Sequence, residues 1–564
     1  MKPVTSQLIV PAEQGGDILV ASEGLSFWGG VDPQTGVVID AHHPCHGLSI
    51  TGKVVLMPTS RGSCSGSGVL LELALNGHAP AALIFREAEE ILTLGALIAD
   101  RMFGKAVAVA RLTASDYAWL SAQDTAIFRG TTLLSGAETV HLRSTSQDDL
   151  ALTPSDTARL QGKQGAAAAL AMEVLCTMAA AQGATRLIDV TRGHIDGCIH
   201  AHPANLIFAQ AMEEMGAQVT VPTTINAISV DRDKWLRQNV PPDFGHAACR
   251  LADSYVRMGA RATFTCAPYL DENPPQHNEN IGWSESNAVI FANSVLGART
   301  AKHPDYLDLF VALTGRAPET GVYLSENRRP CVVIDVDLPQ DHDDAVWPLL
   351  GWIVGRLAPS DVPLLVGLDA VAPSRDDLRA LCAAFGTTSA APLLHVAGVT
   401  PEGNLSAAPD AQHLSVVSAD LAQAWDQFNQ GPSEVDLVAL GSPHFSLEET
   451  RRFANLLVGR HTHPETSVII TLGRDVLAQV QAEGLADVLT RAGAELMSDL
   501  CWCSIVEPAF PAHARTLMTN SGKYAHYAPG LSGRQVRFGS LADCAQVAET
   551  GHFSADRPNW LNPK

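Results

Sequence analysis

Short apolar runs of strand length alternate with longer segments of helical periodicity over most of the chain. This pattern constrains the fold most. The runs at 187–190, 331–336, 364–368, 393–396, 435–440 and 468–472 are rich in Val, Ile, Leu and Ala, and 218–221 and 262–266 are more polar versions of the same pattern. Apolar runs bounded by helices suit strands covered on both faces, so an α/β architecture with parallel sheets is expected. Helices are expected at 205–215 and 246–258. Thr153-Pro154-Ser155-Asp156 opens a long helical region with proline in its first turn, and Ser446-Leu447-Glu448-Glu449 is a capping box. In parallel sheets ligands bind beyond the carboxyl ends of strands. Asn226, Cys266, His395 and Ser442-Pro443-His444 fall at such ends.

The N-terminal part differs. Residues 15–110 are rich in glycine and β-formers, with strands expected at 53–57, 81–85 and 106–110. The first runs into a loop from Pro58 to Gly68 that contains Arg61, Gly62, Ser63 and Ser65, and a helical run follows at 69–75. Strand, glycine-serine loop and helix together present amide dipoles to an anion. The loop lacks the Lys-Ser/Thr ending of a P-loop, which excludes ATP binding of that type. A polar stretch at 136–152 reads as a linker between a small domain, 1–135, and a large one, 153–564. No internal repeat is visible.

Composition narrows the partners. The formal net charge of −22 argues against nucleic acid and against an anionic membrane surface. The longest apolar run, 165–181, is interrupted by Glu173 and reads as a buried helix rather than a membrane span. The N-terminus lacks the apolar core of a signal peptide. Eleven cysteines at irregular spacing form no disulfide framework, so reduced thiols in the cytoplasm are expected, free to bind iron or zinc.

Several clusters could carry chemistry. Cys501 and Cys503 follow Asp499, and Thr519-Asn520-Ser521-Gly522-Lys523 then leads into a helical pattern. A soft-ligand pair near a cationic, amide-rich turn suggests a metal centre beside an anion, although two nearby cysteines alone are as consistent with packing. Cys266 stands in a loop that Pro268 keeps from becoming helical. The stretch from Glu279 to Asn287 gathers Ser284, Glu285 and Ser286 ahead of an apolar helix at 288–296, and Arg299 beyond it could bind a carboxylate in a fork. Arg192 to His202 contains His194, His200 and His202. A zinc site there lacks further ligands, so a substrate contact is the expected role of His194.

The segments ITGKVVLMPTSRGSCSGSGVLLELALNGHAPAALIF, RGHIDGCIH, VPTTINAISVDR, TCAPYLDENPPQHNENIGWSESNAVIFANSVLGART, HVAGVTPEG, LGSPHFSLEE and SDLCWC…TNSGKYAHY, in that order, resemble aconitase X over nearly the whole chain. The resemblance implies an N-terminal swivelling domain fused to a large catalytic domain, with no obligate separate small subunit. It also implies a dehydratase. Bacterial fused members act on cis-3-hydroxy-L-proline with an iron-sulfur centre. The archaeal two-subunit form acts on phosphomevalonate with iron held by three cysteines. Where the archaeal form resembles GCPH, this chain has Gly441-Ser442-Pro443-His444, so Ser442 replaces a candidate ligand while Cys503 adds one. The implied ligands are therefore Cys266, Cys501 and Cys503, holding an iron-sulfur cluster of the 2Fe-2S type in preference to mononuclear iron.

The expected reaction is elimination of water from cis-3-hydroxy-L-proline, a small amino-acid substrate. Ser65 is expected as the base, with Arg61 and the loop amides lowering its pKa, and Lys523 and Arg299 on the substrate carboxylate. Arg61, Gly62, Ser63, His194, Asn226, Ser284, Glu285 and Ser286 are further expected contacts. Swivelling of the small domain is expected to bring Ser65 over the iron. Two alternatives stand beside this. A phosphomevalonate dehydratase would need more phosphate-binding cations. An iron-sensing RNA-binding relative sits poorly with the acidic charge.

Overall fold

Strand Val54–Met57 is buried throughout and runs parallel to Gly15–Val20 on one side and Ala82–Phe85 on the other. It lies inside a nine-stranded sheet. The order is Glu138–His141, Thr132–Ser135, Thr125–Arg129, Gly15–Val20, Val54–Met57, Ala82–Phe85, Ala108–Arg111, Gln7–Val10 and Arg143–Ser144. Four central strands are parallel and the flanks add antiparallel neighbours. Helices Gly66–Asn76 and Ile91–Phe103 link the parallel strands, as right-handed crossovers require.

These elements come from a computed structural model that describes residues 5–61, 64–554 and 556–562. The chain divides into two compact units. The first comprises Met1–Thr223, Ser254–Ala260 and His303–Thr320, and the second comprises Thr224–Asp253, Arg261–Lys302 and Gly321–Lys564. In the first unit Pro154 opens helix Pro154–Leu160 under a complete capping box from Thr153 and Asp156, and Ala166–Ala181 follows as the buried helix. The stretch expected as a linker is not free of structure. Glu138–His141 pairs with Thr132–Ser135, and Arg143–Ser144 pairs with Gln7–Val10.

The second unit contains two wholly parallel sheets. One has the order His395–Val396, Pro363–Val366, Val332–Val336, Gln412–Val416. The other has the order Ala494–Met497, Ser467–Thr471, Leu437–Leu440, Thr516–Thr519, Gln535–Phe538. From Leu437–Leu440 the chain steps outward twice on one side, then returns to fill the other. Such a reversal opens a crevice beyond the strand ends. Among the described residues no helix is long and apolar enough to cross a membrane.

Three strand expectations are corrected. Residues 218–221 form no strand, because their amides bond to loop and helix carbonyls (Val219 to Met258, Thr220 to Ala312), and the strand is Thr223–Ile225 instead. Residues 262–266 form no strand, because Phe264 takes φ +44. His395 lies within a strand, and its buried Nε2 sits 2.8 Å from the Arg328 carbonyl as a structural bond.

Candidate metal centre

The switch point of the five-stranded sheet assembles the site. Gly441, just past Leu437–Leu440, has φ +96, and a Cβ there would stand 2.1 Å from the Thr471 carbonyl oxygen, so only glycine fits the turn. On the neighbouring strand end, Ser521 caps helix Gly522–Ser532 by accepting from the Tyr524 amide, and its hydroxyl donates to the Ser442 carbonyl. The cap fixes Lys523 in the first helical turn.

Lys523 is mostly buried, with Nζ 2.9 Å from Glu285 Oε1. Glu285 caps helix Ser286–Phe291 and receives the Asn287 side-chain amide at 2.6 Å and that of Asn226 at 3.2 Å. The Asn287 amide nitrogen also donates to the Cys266 carbonyl at 3.1 Å, and its oxygen accepts from the Tyr269 hydroxyl at 2.8 Å. Burial opposes the charge on Glu285, but Lys523 outweighs it and holds the carboxyl below its ordinary value. Burial likewise opposes the charge on Lys523, and Glu285 with the nearby sulfurs overcomes it, raising the ammonium well above its ordinary value. Both groups are therefore ionised at neutral pH.

Three thiols converge beside this pair. Cys266 and Cys501 are buried against Ala227, with Cys503 packed on them. Hydrogen bonds from Cys266 and then Cys503 hold Cys501 well below the usual thiol range, with Lys523 adding to the effect. Burial and the Cys501 sulfur push Cys266 up, and its bond to Cys501 and burial do the same for Cys503. Cys501 is thus the most acidic of the three thiols. The His444 amide donates to Cys266 Sγ at 3.4 Å. Burial lowers the pKa of the His444 ring and keeps it neutral. Its Nε2 lies 2.6 Å from the Leu500 carbonyl, which assigns the proton to that nitrogen and leaves Nδ1 to accept from Thr265 Oγ1 at 3.1 Å.

The donor set fits a soft metal or iron-sulfur group. Three sulfurs, one with its pKa held well below the usual thiol range, are ligands of that kind. The buried hydroxyls of Ser284 and Ser442 have no hydrogen-bond partner among the described residues, and buried hydroxyls are normally bonded.

The second unit thus gathers Cys266, Cys501, Cys503, Asn226, Glu285 and Lys523, with Ser284 and the half-buried Ser286 on either side of Glu285. Arg299 stands apart from this group. Its guanidinium bonds the Tyr323 carbonyl at 2.9 Å and the Asn278 side chain at 3.1 Å, and it lies 3.8 Å from Glu402 in a structural network around Arg328. The first unit holds Ser65, Arg61 and His194. Ser65 precedes helix Gly66–Asn76, and its side chain makes no capping bond. Arg61 is half-exposed and paired with Glu23 and Asp40, which balance its charge. His194 is buried in strand Gly193–Ile195. Gly62 and Ser63 lie outside the described residues.

Sequence reasoning passed over several residues. Cys64 Sγ donates to Asp196 Oδ2 at 3.3 Å, and ligand atoms of Cys64, Asp196 and Asp305 lie within 4.8 Å of one another in the first unit. The motif around His194 contained Asp196, but nothing in the sequence ties it to Asp305. Asn287 carries the bond between Glu285 and the Cys266 loop, and only the local density of polar residues hinted at it.

Four profiles described as aconitase X domains match the chain: the swivel domain at 3–134, the first domain at 149–326, the second at 330–426 and the third at 435–550. A protein of Hypocrea jecorina named cis-3-hydroxy-L-proline dehydratase is 44% identical over 98% of this chain and 96% of its own length. The chain belongs to the aconitase X family. A Pseudomonas aeruginosa member of the same name is 46% identical over 99% of this chain and 98% of its own. The crystal structure of aconitase X from Thermococcus kodakaraensis, in its holo form, superposes with a TM-score of 0.64 at 32% identity, covering 71% of this chain and all of that one. As an aconitase X chain, this protein has the mixed α/β fold with an N-terminal swivel domain.

Proposed function

We propose that the chain is a hydro-lyase that removes water from cis-3-hydroxy-L-proline to give Δ1-pyrroline-2-carboxylate. The convergence of three thiols on the buried Lys523–Glu285 pair carries this reading. Near-full-length identity to relatives of that name supports the choice of substrate. In the cis isomer the C3 hydroxyl and the carboxylate share a face, so the C2 hydrogen points the other way and elimination is anti. A weakly acidic C–H and a poor leaving group must both be overcome. Cys266, Cys501 and Cys503 would hold an iron-sulfur group, 2Fe-2S in preference to mononuclear iron, which when bound would supply a Lewis acid for the leaving hydroxyl.

The other tasks fall to side chains. The Lys523 ammonium takes the substrate carboxylate, where it also offsets negative charge developing at C2. Glu285, kept ionised by Lys523, takes the ring ammonium. Ser65 removes the C2 proton. The C2–H electron pair becomes the C2=C3 bond, hydroxide departs from C3 and takes a proton from solvent to become water, Ser65 returns the C2 proton to solvent, and the enamine tautomerises to the cyclic imine. Residues 1–135 act as the swivelling domain and 153–564 as the catalytic part, so no separate small subunit is needed. The free cysteines suit a reducing compartment, the cytoplasm.

Anaerobically purified protein supplied separately with cis-3-hydroxy-L-proline, its trans isomer and phosphomevalonate tests the proposal. Imine should form from the cis isomer alone. Dehydration of phosphomevalonate with no reaction of the proline would overturn it.

A further inference from the structure

Each of two thiol loops carries a strained backbone position at the same place. Phe264 has φ +44 and Asp499 has φ +70, both in the region that disfavours side chains. Phe264 stands two residues before Cys266 and Asp499 two before Cys501. Such conformations persist only where the surroundings impose them, and they gather at functional sites.

One side chain reaches both positions. Arg474 begins helix Arg474–Ala482 and forks onto the fully buried Asp499, Nε to Oδ1 at 2.6 Å and Nη2 to Oδ2 at 2.6 Å. The same guanidinium lies 5.0 Å from the centre of the buried Phe264 ring. The Arg232 guanidinium approaches that ring at 5.5 Å, and its backbone amide donates to Asp499 Oδ2 at 3.2 Å. Guanidinium is suited to both contacts at once, because its plane stacks on a ring while its edge forks a carboxylate. His444 also joins the two loops, through Thr265 Oγ1 and the Leu500 carbonyl, but it touches neither strained residue; Thr265 N–H bonds the Ile225 carbonyl, and Ile228 N–H the Asp499 carbonyl.

We propose that Arg474 is a positioning residue for the metal centre. It pins the turn before Cys266 to the turn before Cys501 and so sets the spacing of the two sulfurs. Partners behind the ligands orient them, and their loss typically weakens metal holding about 10–100-fold. The inference rests on the reading of the thiols as ligands.

Wild type, Arg474→Gln, Arg474→Lys and Phe264→Leu are loaded anaerobically with ferrous iron and sulfide. Iron content, the visible circular dichroism spectrum and the rate of iron release to a chelator are then measured. Arg474→Gln should release iron roughly 10–100-fold faster and shift the spectrum, with Arg474→Lys between it and wild type. Phe264→Leu keeps the apolar volume but removes the ring, and it should also release faster. A general loss of stability lowers the melting temperature but leaves release and spectrum unmoved, and that result in Arg474→Gln overturns the inference. Should Arg474→Gln fail to fold, wild-type release from both Arg474→Lys and Phe264→Leu overturns it equally. A wild type that holds no iron removes the ligand reading and this inference together, whereas iron held alike by wild type and variants removes this inference alone.

Discussion

Cys501→Ala should lose bound iron and sulfide, the associated visible absorbance and all measurable turnover while keeping its fold. Cys501 is the most acidic of the three, its thiol held well below the usual range by hydrogen bonds from Cys266 and Cys503 and by Lys523. Without it the remaining thiols lose their acceptor, and burial disfavours the charge each would need as a ligand. Two sulfurs with raised pKa do not make the three-thiolate set. The structural cost is small by comparison. Removing one buried sulfur from a loop costs on the order of 1 kcal/mol, near the value of a buried methylene, and the strand and helix ends around it keep their own bonds. Iron and sulfide analysis, turnover and far-UV circular dichroism on one anaerobic preparation check this. A folded Cys501→Ala with full iron and activity would show that the ligands lie elsewhere.

Ser65→Ala should fold, keep its iron and bind substrate, yet turn over more slowly by about a hundred- to ten-thousandfold, the usual worth of a positioned base. Ser65 has φ −72, which alanine adopts freely, and its side chain makes no capping bond to the helix that follows. Its carbonyl still accepts from the Gly68 and Val69 amides after the substitution. The glycines after it make a hydroxyl-free turn easy to accommodate, so a large rate loss without a stability loss would be chemical. Exchange of the C2 hydrogen with deuterated solvent reports proton removal apart from loss of hydroxide, and the variant should lose that exchange. Near wild-type exchange in Ser65→Ala would place the base on another residue, with His194 the next to test.

Much of the scaffold was legible because its periodicity is local. The strands Val332–Val336, Leu437–Leu440 and Ser467–Thr471 lie where continuous apolar runs place them, Ser446 caps its helix as the capping box predicts, and helices begin after Thr153 and Ser521 as expected. Residues 262–266 misled because Thr and Phe favour strands, while Arg474, about two hundred positions later, holds Phe264 in a left-handed turn. No local signal carries such a contact. Arg299 shows the opposite limit: its local polar surroundings suggest a substrate fork, whereas its long-range bonds to Asn278 and Tyr323 and its approach to Glu402 appear only in the fold. The cysteines were visible as residues, whereas the ionisation order among them arises only once Lys523 and Glu285 are folded against them.

The most direct measurement follows imine formation from cis-3-hydroxy-L-proline in one wild-type sample through removal and return of its metal. The protein is assayed as purified, after anaerobic chelation under reducing conditions, and after reconstitution with ferrous iron and sulfide, with Cys501→Ala treated in parallel. Imine formation should fall to background on chelation and return on reconstitution in the wild type, and never appear in Cys501→Ala. Turnover that survives complete removal of iron would contradict a dehydratase built on Cys266, Cys501 and Cys503.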